Sequence, residues 1–137
     1  MEKESKGLPQ IVRLRAKNFR SLEDVDVKLG PLTVLVGPNA SGKSNVVDVL
    51  RFAADAFRDG LDSAIADRHG IGAIRRWSAK GRPYDVEVGL EFQDGEHAFH
   101  YRFVLGSKLR GEYQVKEEYL RVQGGRRSGQ PFVFETR

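Results

Sequence analysis

The sequence predicts an α/β fold in which a strand, a glycine-rich loop and a helix are followed by an antiparallel β-rich part. Three observations support this prediction. A short apolar run rich in β-branched residues, residues 32–36, precedes the glycines. Apolar residues then recur at helical spacing, and from Tyr84 onward apolar and polar residues alternate with a period of two. A chain of 137 residues is long enough for one domain with a modest core.

Two strands are predicted ahead of the apolar run, at residues 11–17 and 25–29, because apolar and polar side chains alternate in both. The four residues from Asn18 to Ser21 are expected to form the turn between them. Gly30 and Pro31 break the chain before residues 32–36, which read as a buried parallel strand.

A helix is predicted to start near Lys43 and to end at Gly60. Its predicted apolar stripe consists of Val46, Val47, Leu50, Ala53, Ala54 and Phe57. Asp48 and Asp55 fall outside this stripe and are interpreted as solvent-exposed charges. Residues 61–77 carry weaker signals, with helical turns interrupted by Gly70 and Gly72.

The second half of the chain predicts an antiparallel meander. One strand directs Val86, Val88, Leu90 and Phe92 to one face, and Asp94-Gly95 is a strong hairpin signal. The next strand places Phe99, Tyr101, Phe103 and Leu105 on one face. Two more strands are predicted at residues 114–122 and 131–136, separated by a turn at residues 124–129.

The segment Gly37-Pro38-Asn39-Ala40-Ser41-Gly42-Lys43-Ser44 fits the phosphate-binding pattern G-x-x-x-x-G-K-[S/T]. Gly37 and Gly42 allow a tight turn and a close backbone approach to a ligand. The N-H groups of the loop and of the helix that follows can then converge on an anion. Lys43 is suited to reach the β- and γ-phosphates, and the Ser44 hydroxyl is suited to bind Mg²⁺.

Composition excludes several classes of protein. The chain has no cysteine, so it has neither disulfides nor thiolate metal sites. No apolar run approaches the roughly 20 residues that span a bilayer, and no secretory signal opens the chain, so we expect a cytoplasmic protein without membrane contact. His97 and His100 are an odd number of residues apart on a predicted strand and cannot share a metal, so Mg²⁺ held with a nucleotide is the one metal expected.

The stretch from Leu14 through Asn18-Phe19-Arg20-Ser21 to Leu22, followed by Leu32 to Asn45, resembles the N-terminus of ABC-type AAA family ATPases. Within that family it is most similar to the SMC, RecF and OLD-type proteins. The resemblance covers residues 11–58. It implies a P-loop ATPase domain of which residues 8–60 supply strands, loop and first helix, and residues 61–137 supply a connecting loop and the antiparallel subdomain.

The resemblance also implies binding residues and partners. Asn18, Phe19 and Arg20 would lie near the adenosine or the γ-phosphate of ATP, and Ala40 replaces a glycine common at its position. The remainder of the ATPase domain or a second copy, in a head-to-head dimer, would be a partner, and DNA is a candidate. The triphosphate would be surrounded by Gly37, Pro38, Asn39, Ala40, Ser41, Gly42, Lys43, Ser44 and Asn45, with Mg²⁺ on Ser44.

Two motifs of such ATPases are missing from the 137 residues. A Walker B strand, four apolar residues running into Asp-Glu, does not occur, and neither does a Leu-Ser-Gly-Gly signature. We therefore expect an incomplete domain, the N-terminal piece of a longer ATPase, with no catalytic residue of its own and negligible hydrolysis. The biological setting expected from the family is DNA repair, chromosome maintenance or defence.

Two alternatives stay open at this point. The basic residues Arg75, Arg76, Lys80, Arg82, Arg126 and Arg127 allow a nucleic-acid-binding or partner-docking module, in keeping with a net charge of +4. Trp77 is equally compatible with a core anchor and with a position near the nucleotide or a DNA backbone.

Overall fold

The computed structural model describes residues 8–79, 81–124 and 134–136. The strands are β1 (Gln10–Phe19), β2 (Leu22–Lys28), β3 (Val86–Asp94), β4 (His97–Ser107), β5 (Tyr113–Gln123) and β6 (Phe134–Thr136), and the helices are α1 (Lys43–Asp59), α2 (Leu61–Ala66) and α3 (Ile71–Ile74), with a short 3-10 turn at Leu109–Gly111.

The strands form one sheet in the order β2-β1-β3-β4-β5-β6, and every neighbouring pair is antiparallel. Strands β3 to β6 follow one another as the predicted meander. The β1-β2 hairpin joins this meander through β1, whose Leu14 lies opposite Leu90 of β3. The early strands and the β-rich second half therefore share a single sheet.

Side-chain alternation explains which face of the sheet is buried. Val86, Val88 and Leu90 point inward from β3, and Phe103 and Leu105 do so from β4. The predicted hairpin is confirmed, with Asp94 opposite His97 and the turn at residues 95–96. Of the predicted turn at residues 124–129 and strand at residues 131–136, residues 125–133 lie outside the described residues.

Helix α1 covers the inward face, and its end at Gly60 is confirmed. The Phe52 ring lies 5.7 Å from that of Phe19 and 6.2 Å from that of Phe103. Burying such a side chain stabilises the fold by about 1.5–3 kcal/mol. The sequence prediction of the stripe was partly wrong, because Val47 and Phe57 are 39% and 59% exposed and Ala54 is exposed as well. The buried residues of α1 are Val46, Val49, Phe52 and Ala53.

The predicted strand at residues 32–36 is not formed. Residues 33–38 have no regular secondary structure, and Leu32, Val34 and Val36 are 84%, 70% and 89% exposed. A strand requires a neighbouring strand for its backbone hydrogen bonds, and none of the described strands pairs with this segment. The loop and the helix of the predicted strand-loop-helix unit are thus present without the strand.

Residues 61–77 contain the two short helices that the sequence signalled weakly. Gly70 precedes α3 with a φ of 96°, whereas Gly72 lies within the helix. The segment that leaves α3 runs antiparallel beside the end of β1, where the N-H of Arg20 donates to Ile74 and the N-H of Arg76 donates to Asn18. None of the helices in the described part of the chain is long and apolar enough to cross a membrane.

Candidate phosphate-binding site

The glycine-rich loop turns directly into α1 at Gly42. This residue has a φ of 94° and a ψ of 4°, the left-handed conformation that favours glycine. A Cβ at Gly42 would also lie 3.1 Å from Cδ2 of Leu22, at the start of β2. The backbone angle therefore favours glycine here, and a Cβ would in addition require the Leu22 side chain to shift by a few tenths of an ångström.

The first turn of α1 is built to attract an anion. No side chain caps its N-H groups, and it contains no acidic residue. The N-H groups of a first helical turn have no partner within the helix, and the helix dipole places partial positive charge there. An uncapped helix start without a carboxylate is the electrostatic arrangement that suits phosphate.

The ammonium group of Lys43 lies against the loop that precedes it. Its Nζ donates to the carbonyl oxygen of Pro38 at 2.8 Å and also to that of Gly37. The N-H of Ser41 donates to the same Pro38 oxygen at 3.2 Å. These bonds hold the positively charged end of Lys43 against the backbone of the loop.

The turn of the β1-β2 hairpin forms a wall of the loop. Asn45 Nδ2 donates to the hydroxyl oxygen of Ser21 at 2.6 Å, which connects the turn to the first turn of α1. Ser21 was not predicted as a site residue, although it belongs to the Asn18–Ser21 element of the resemblance, and 24 positions separate it from Asn45.

A cavity of about 440 Å³ lies between the loop, the start of α1 and the hairpin turn. It brings together seven of the nine predicted loop residues and adds Ser21. Gly37 and Pro38 contribute through their bonds to Lys43. The lining residues are Ser21, Asn39, Ala40, Ser41, Gly42, Lys43, Ser44 and Asn45.

Comparison with known proteins identifies the family. Residues 32–133, more than half of the chain, match the family described as "AAA domain, putative AbiEii toxin, Type IV TA system". The chain belongs to this AAA domain family. Its resemblance to ABC-type AAA ATPases, predicted from the hairpin turn and the glycine loop, is confirmed.

Relatives of this AAA domain include three kinds of protein. An OLD nuclease of Thermus scotoductus is 60% identical over 35 residues, which are 26% of this chain and 7% of the relative. The DNA replication and repair protein RecF of Corynebacterium jeikeium is 38% identical over 61 residues, 42% of this chain and 14% of the relative. The DNA double-strand break repair Rad50 ATPase of Thermoplasma acidophilum is 34% identical over 93 residues, 67% of this chain.

The chain spans only a small part of these relatives, between 7% and 14% of their lengths in the three cases. The activities of these longer proteins are therefore not assigned to this chain by similarity alone.

The predicted residues Asn18, Phe19 and Arg20 lie beside the cavity and do not line it in the described structure. Asn18 Nδ2 donates to the carbonyl oxygen of Asp85 at 3.1 Å, and Phe19 is fully buried. The guanidinium of Arg20 faces Asp48, with Nε and Oδ2 3.1 Å apart. Contact of these three residues with a nucleotide stays a prediction.

The interpretation of Asp48 and Asp55 as solvent-exposed charges was wrong. Their side chains are 20% and 28% exposed, and both carboxylates face the guanidinium of Arg68. Arg68 Nη2 donates to Asp55 Oδ2 at 2.9 Å, and Nη1 donates to the carbonyl oxygen of Ala64 at 3.1 Å. The helix period alone did not show that the chain returns along this side of α1 after α2.

The structure excludes one interpretation of Trp77 and shows the partners of two basic residues. Trp77 is 81% exposed, which excludes a core anchor. Arg75 donates to the hydroxyl of Ser107 at 2.5 Å, and Arg76 lies 3.4 Å from Glu23. Two basic residues of that group thus have polar partners within the fold, whereas Lys80, Arg126 and Arg127 lie outside the described residues.

In the described parts of the chain, no group of three or more His, Cys, Asp or Glu residues is placed to hold an ion. The residues do fit an Mg²⁺ ion that arrives with a nucleotide. Ser44 lines the cavity at the start of α1, and its hydroxyl is an oxygen ligand of the kind that Mg²⁺ accepts alongside phosphate oxygens.

Proposed function

We propose that this AAA domain chain is the ATP-binding lobe of an ABC-type ATPase of the RecF, Rad50 and OLD kind. The observation that carries the proposal is the cavity of about 440 Å³, formed by the phosphate-loop residues and the uncapped start of α1. In it, Lys43 and the first N-H groups of α1 would hold the phosphates, and Ser44 would bind Mg²⁺.

The exposed apolar segment 32–36 supports the same proposal. Val34, Leu35 and Val36 lead directly into Gly37, and Val34 and Val36 are among the most exposed apolar residues described. Parallel strands buried on both faces have this composition. We infer that the segment becomes a strand when it pairs with the remainder of the ATPase domain, or with a second copy in a head-to-head dimer.

Hydrolysis by this chain alone should be negligible. The 137 residues contain neither an apolar run into Asp-Glu nor a Leu-Ser-Gly-Gly segment. Phosphoryl transfer depends on positioning the attacking water and on stabilising charge, and these motifs supply both in ABC-type ATPases. The complete protein would bind ATP, close on a partner head and hydrolyse the nucleotide, in DNA repair, chromosome maintenance or defence, with DNA as a candidate partner.

The proposal is tested by titrating a fluorescent ATP analogue with Mg²⁺ into the purified chain. We expect saturable binding that weakens at least about tenfold in Lys43→Ala, because the variant lacks the ammonium group that would contact the phosphates. Lys108→Ala, which removes an exposed lysine just before the 3-10 turn, is the matched control and should bind like the wild type. Equal affinities for the wild type and Lys43→Ala would refute the proposal.

A further inference from the structure

An ion-pair network lies beside the phosphate loop, on the side of α1 that faces the hairpin turn and α2. Asp48 is shared by two guanidinium groups, with Arg20 Nε at 3.1 Å and Arg68 Nη2 at 3.6 Å. Asp55, two turns further along the helix, contacts Arg68 but has no contact with Arg20. Within this network, the carboxylate of Asp48 is therefore the group that connects the hairpin turn to α1.

This connection lies next to the site. Arg20 and Ser21 are consecutive in the hairpin turn, and Asn45 and Asp48 are three residues apart on α1, where side chains share a face. Ser21 accepts a hydrogen bond from Asn45 at 2.6 Å while Arg20 faces Asp48. The turn is thus attached to α1 by two adjacent contacts. One of them involves Ser21, which lines the cavity.

The backbone of Arg20 is held from its other side. Its φ of 49° is unusual for a residue with a side chain, and its N-H donates to the carbonyl oxygen of Ile74 at 2.6 Å. With the main chain fixed in this way, the position of the guanidinium depends on the carboxylate that it faces. Asp48 is that carboxylate, and its side chain is only 20% exposed.

The contact between the two groups is ionic. Arg20 Nε and Asp48 Oδ2 are buried and have no directed hydrogen bond in the described residues, although they lie 3.1 Å apart. The two interacting atoms are shielded from solvent, although 38% of the Arg20 side chain as a whole is exposed. The attraction between the charges disappears when the carboxylate is replaced by a neutral amide of the same shape.

We propose that Asp48 is a positioning residue, which holds the hairpin turn against the phosphate loop through Arg20 and thereby shapes the wall formed by Ser21. The consequence for ATP affinity rests on the proposed function. The positioning itself does not, because it is measurable without a nucleotide.

The test compares Asp48→Asn with its matched control Asp55→Asn, which also removes a carboxylate from Arg68 but leaves Arg20 untouched. Amide hydrogen exchange is followed at Arg20, bonded to Ile74, and at Val46, bonded to Gly42. We expect Asp48→Asn to raise exchange at both amides by about tenfold, as for the loss of one charged contact in a local opening. The amide of Phe103 in β4 should not change. Asp55→Asn should leave Arg20 and Val46 as in the wild type.

Arg20→Gln keeps the test decisive if Asp48→Asn does not fold, since it removes the other half of the same contact and should raise exchange at Val46. Unchanged exchange in both Asp48→Asn and Arg20→Gln, or an equal rise in Asp55→Asn, would overturn the proposal. In the nucleotide arm, Asp48→Asn should bind the ATP analogue about tenfold more weakly than Asp55→Asn. Absence of binding by the wild type would reject the proposed function, while the exchange data would still decide the role of Asp48.

Discussion

Single residues of the phosphate loop show how backbone conformation limits the choice of side chain. Gly42 and Ala40 have φ values of 94° and 65°, so both lie in the left-handed region. Glycine adopts this region without cost, whereas alanine loses about 1–2 kcal/mol there. Ala40 is therefore a local departure from the least costly sequence for this backbone conformation.

Replacing Ala40 by glycine should consequently not destabilise the protein. We expect the free energy of unfolding to rise by up to about 1 kcal/mol, since relief of the left-handed conformation outweighs the greater freedom of glycine in the unfolded chain. Urea unfolding followed by circular dichroism is the suitable measurement, because the single tryptophan is 81% exposed and reports little on the core.

Ala54→Gly is the matched control for this prediction. Ala54 is exposed within α1, where glycine costs about 1 kcal/mol relative to alanine. The two substitutions are chemically identical and should have opposite signs. A loss of stability in Ala40→Gly as large as that in Ala54→Gly would contradict the account.

At the scale of elements, ion pairs connect the central strands on the face opposite α1. Arg102 of β4 donates to Glu87 of β3 at 2.7 Å and to Glu117 of β5 at 2.8 Å. The hydrogen bond from Arg102 lowers the pKa of Glu87 below its usual value of 4.5. Protonation of this carboxylate weakens the connection between β3 and β4.

The stability of the sheet should therefore depend on pH through Glu87. Because its pKa is lower in the folded chain, the contribution is complete above pH 4.5 and is lost as the pH falls through the folded value. Between about pH 5 and about pH 3, the wild type should lose more free energy of unfolding than Glu87→Gln, which cannot titrate there.

Other carboxylates titrate in the same window, and they are common to the wild type and the variant, so the difference between the two curves isolates Glu87. Glu96→Gln, in the exposed turn between β3 and β4, serves as control and should follow the wild-type curve. Parallel curves for Glu87→Gln and the wild type would show that the Arg102 contact contributes nothing.

The elements that could be predicted from the sequence are those marked by a clear local pattern, such as alternation of apolar and polar residues or a glycine at a helix end. Strands β3 and β4 alternate cleanly and were predicted, as was the end of α1 at Gly60. The strand at residues 32–36 was not formed, since composition indicates a strand but not a partner for it. The stripe of α1 was ambiguous because apolar residues such as Val47 and Phe52 occupy two faces of the helix.

The residues of the site also include some that could be predicted from the sequence and some that could not. The spacing of Gly37, Gly42 and Lys43 predicted the loop, because one short segment holds all of its determinants. Ser21 and Asp48 could not be predicted, since their roles arise from packing between the hairpin turn and α1, and no local pattern records such a contact. Residues that are distant from a motif in sequence but close to it in space can be identified only when the fold is known.

The whole molecule consists of an antiparallel sheet with one face covered by α1 and with an apolar segment left exposed ahead of the phosphate loop. This arrangement matches a chain that belongs to the AAA domain family and spans a small part of its relatives. The loop, the start of α1 and the hairpin turn are nevertheless assembled within the described residues. We therefore expect nucleotide binding to be a property of this chain, separable from hydrolysis.

The most direct test of that claim is a map of amide chemical shifts in the ¹⁵N-labelled chain as Mg-ATP is added. We expect saturable changes concentrated at Ser21 and residues 37–45, and their loss in Lys43→Ala, whose spectrum should remain that of a folded chain. Saturable changes centred elsewhere, or a folded chain whose loop amides do not respond to Mg-ATP, would contradict it.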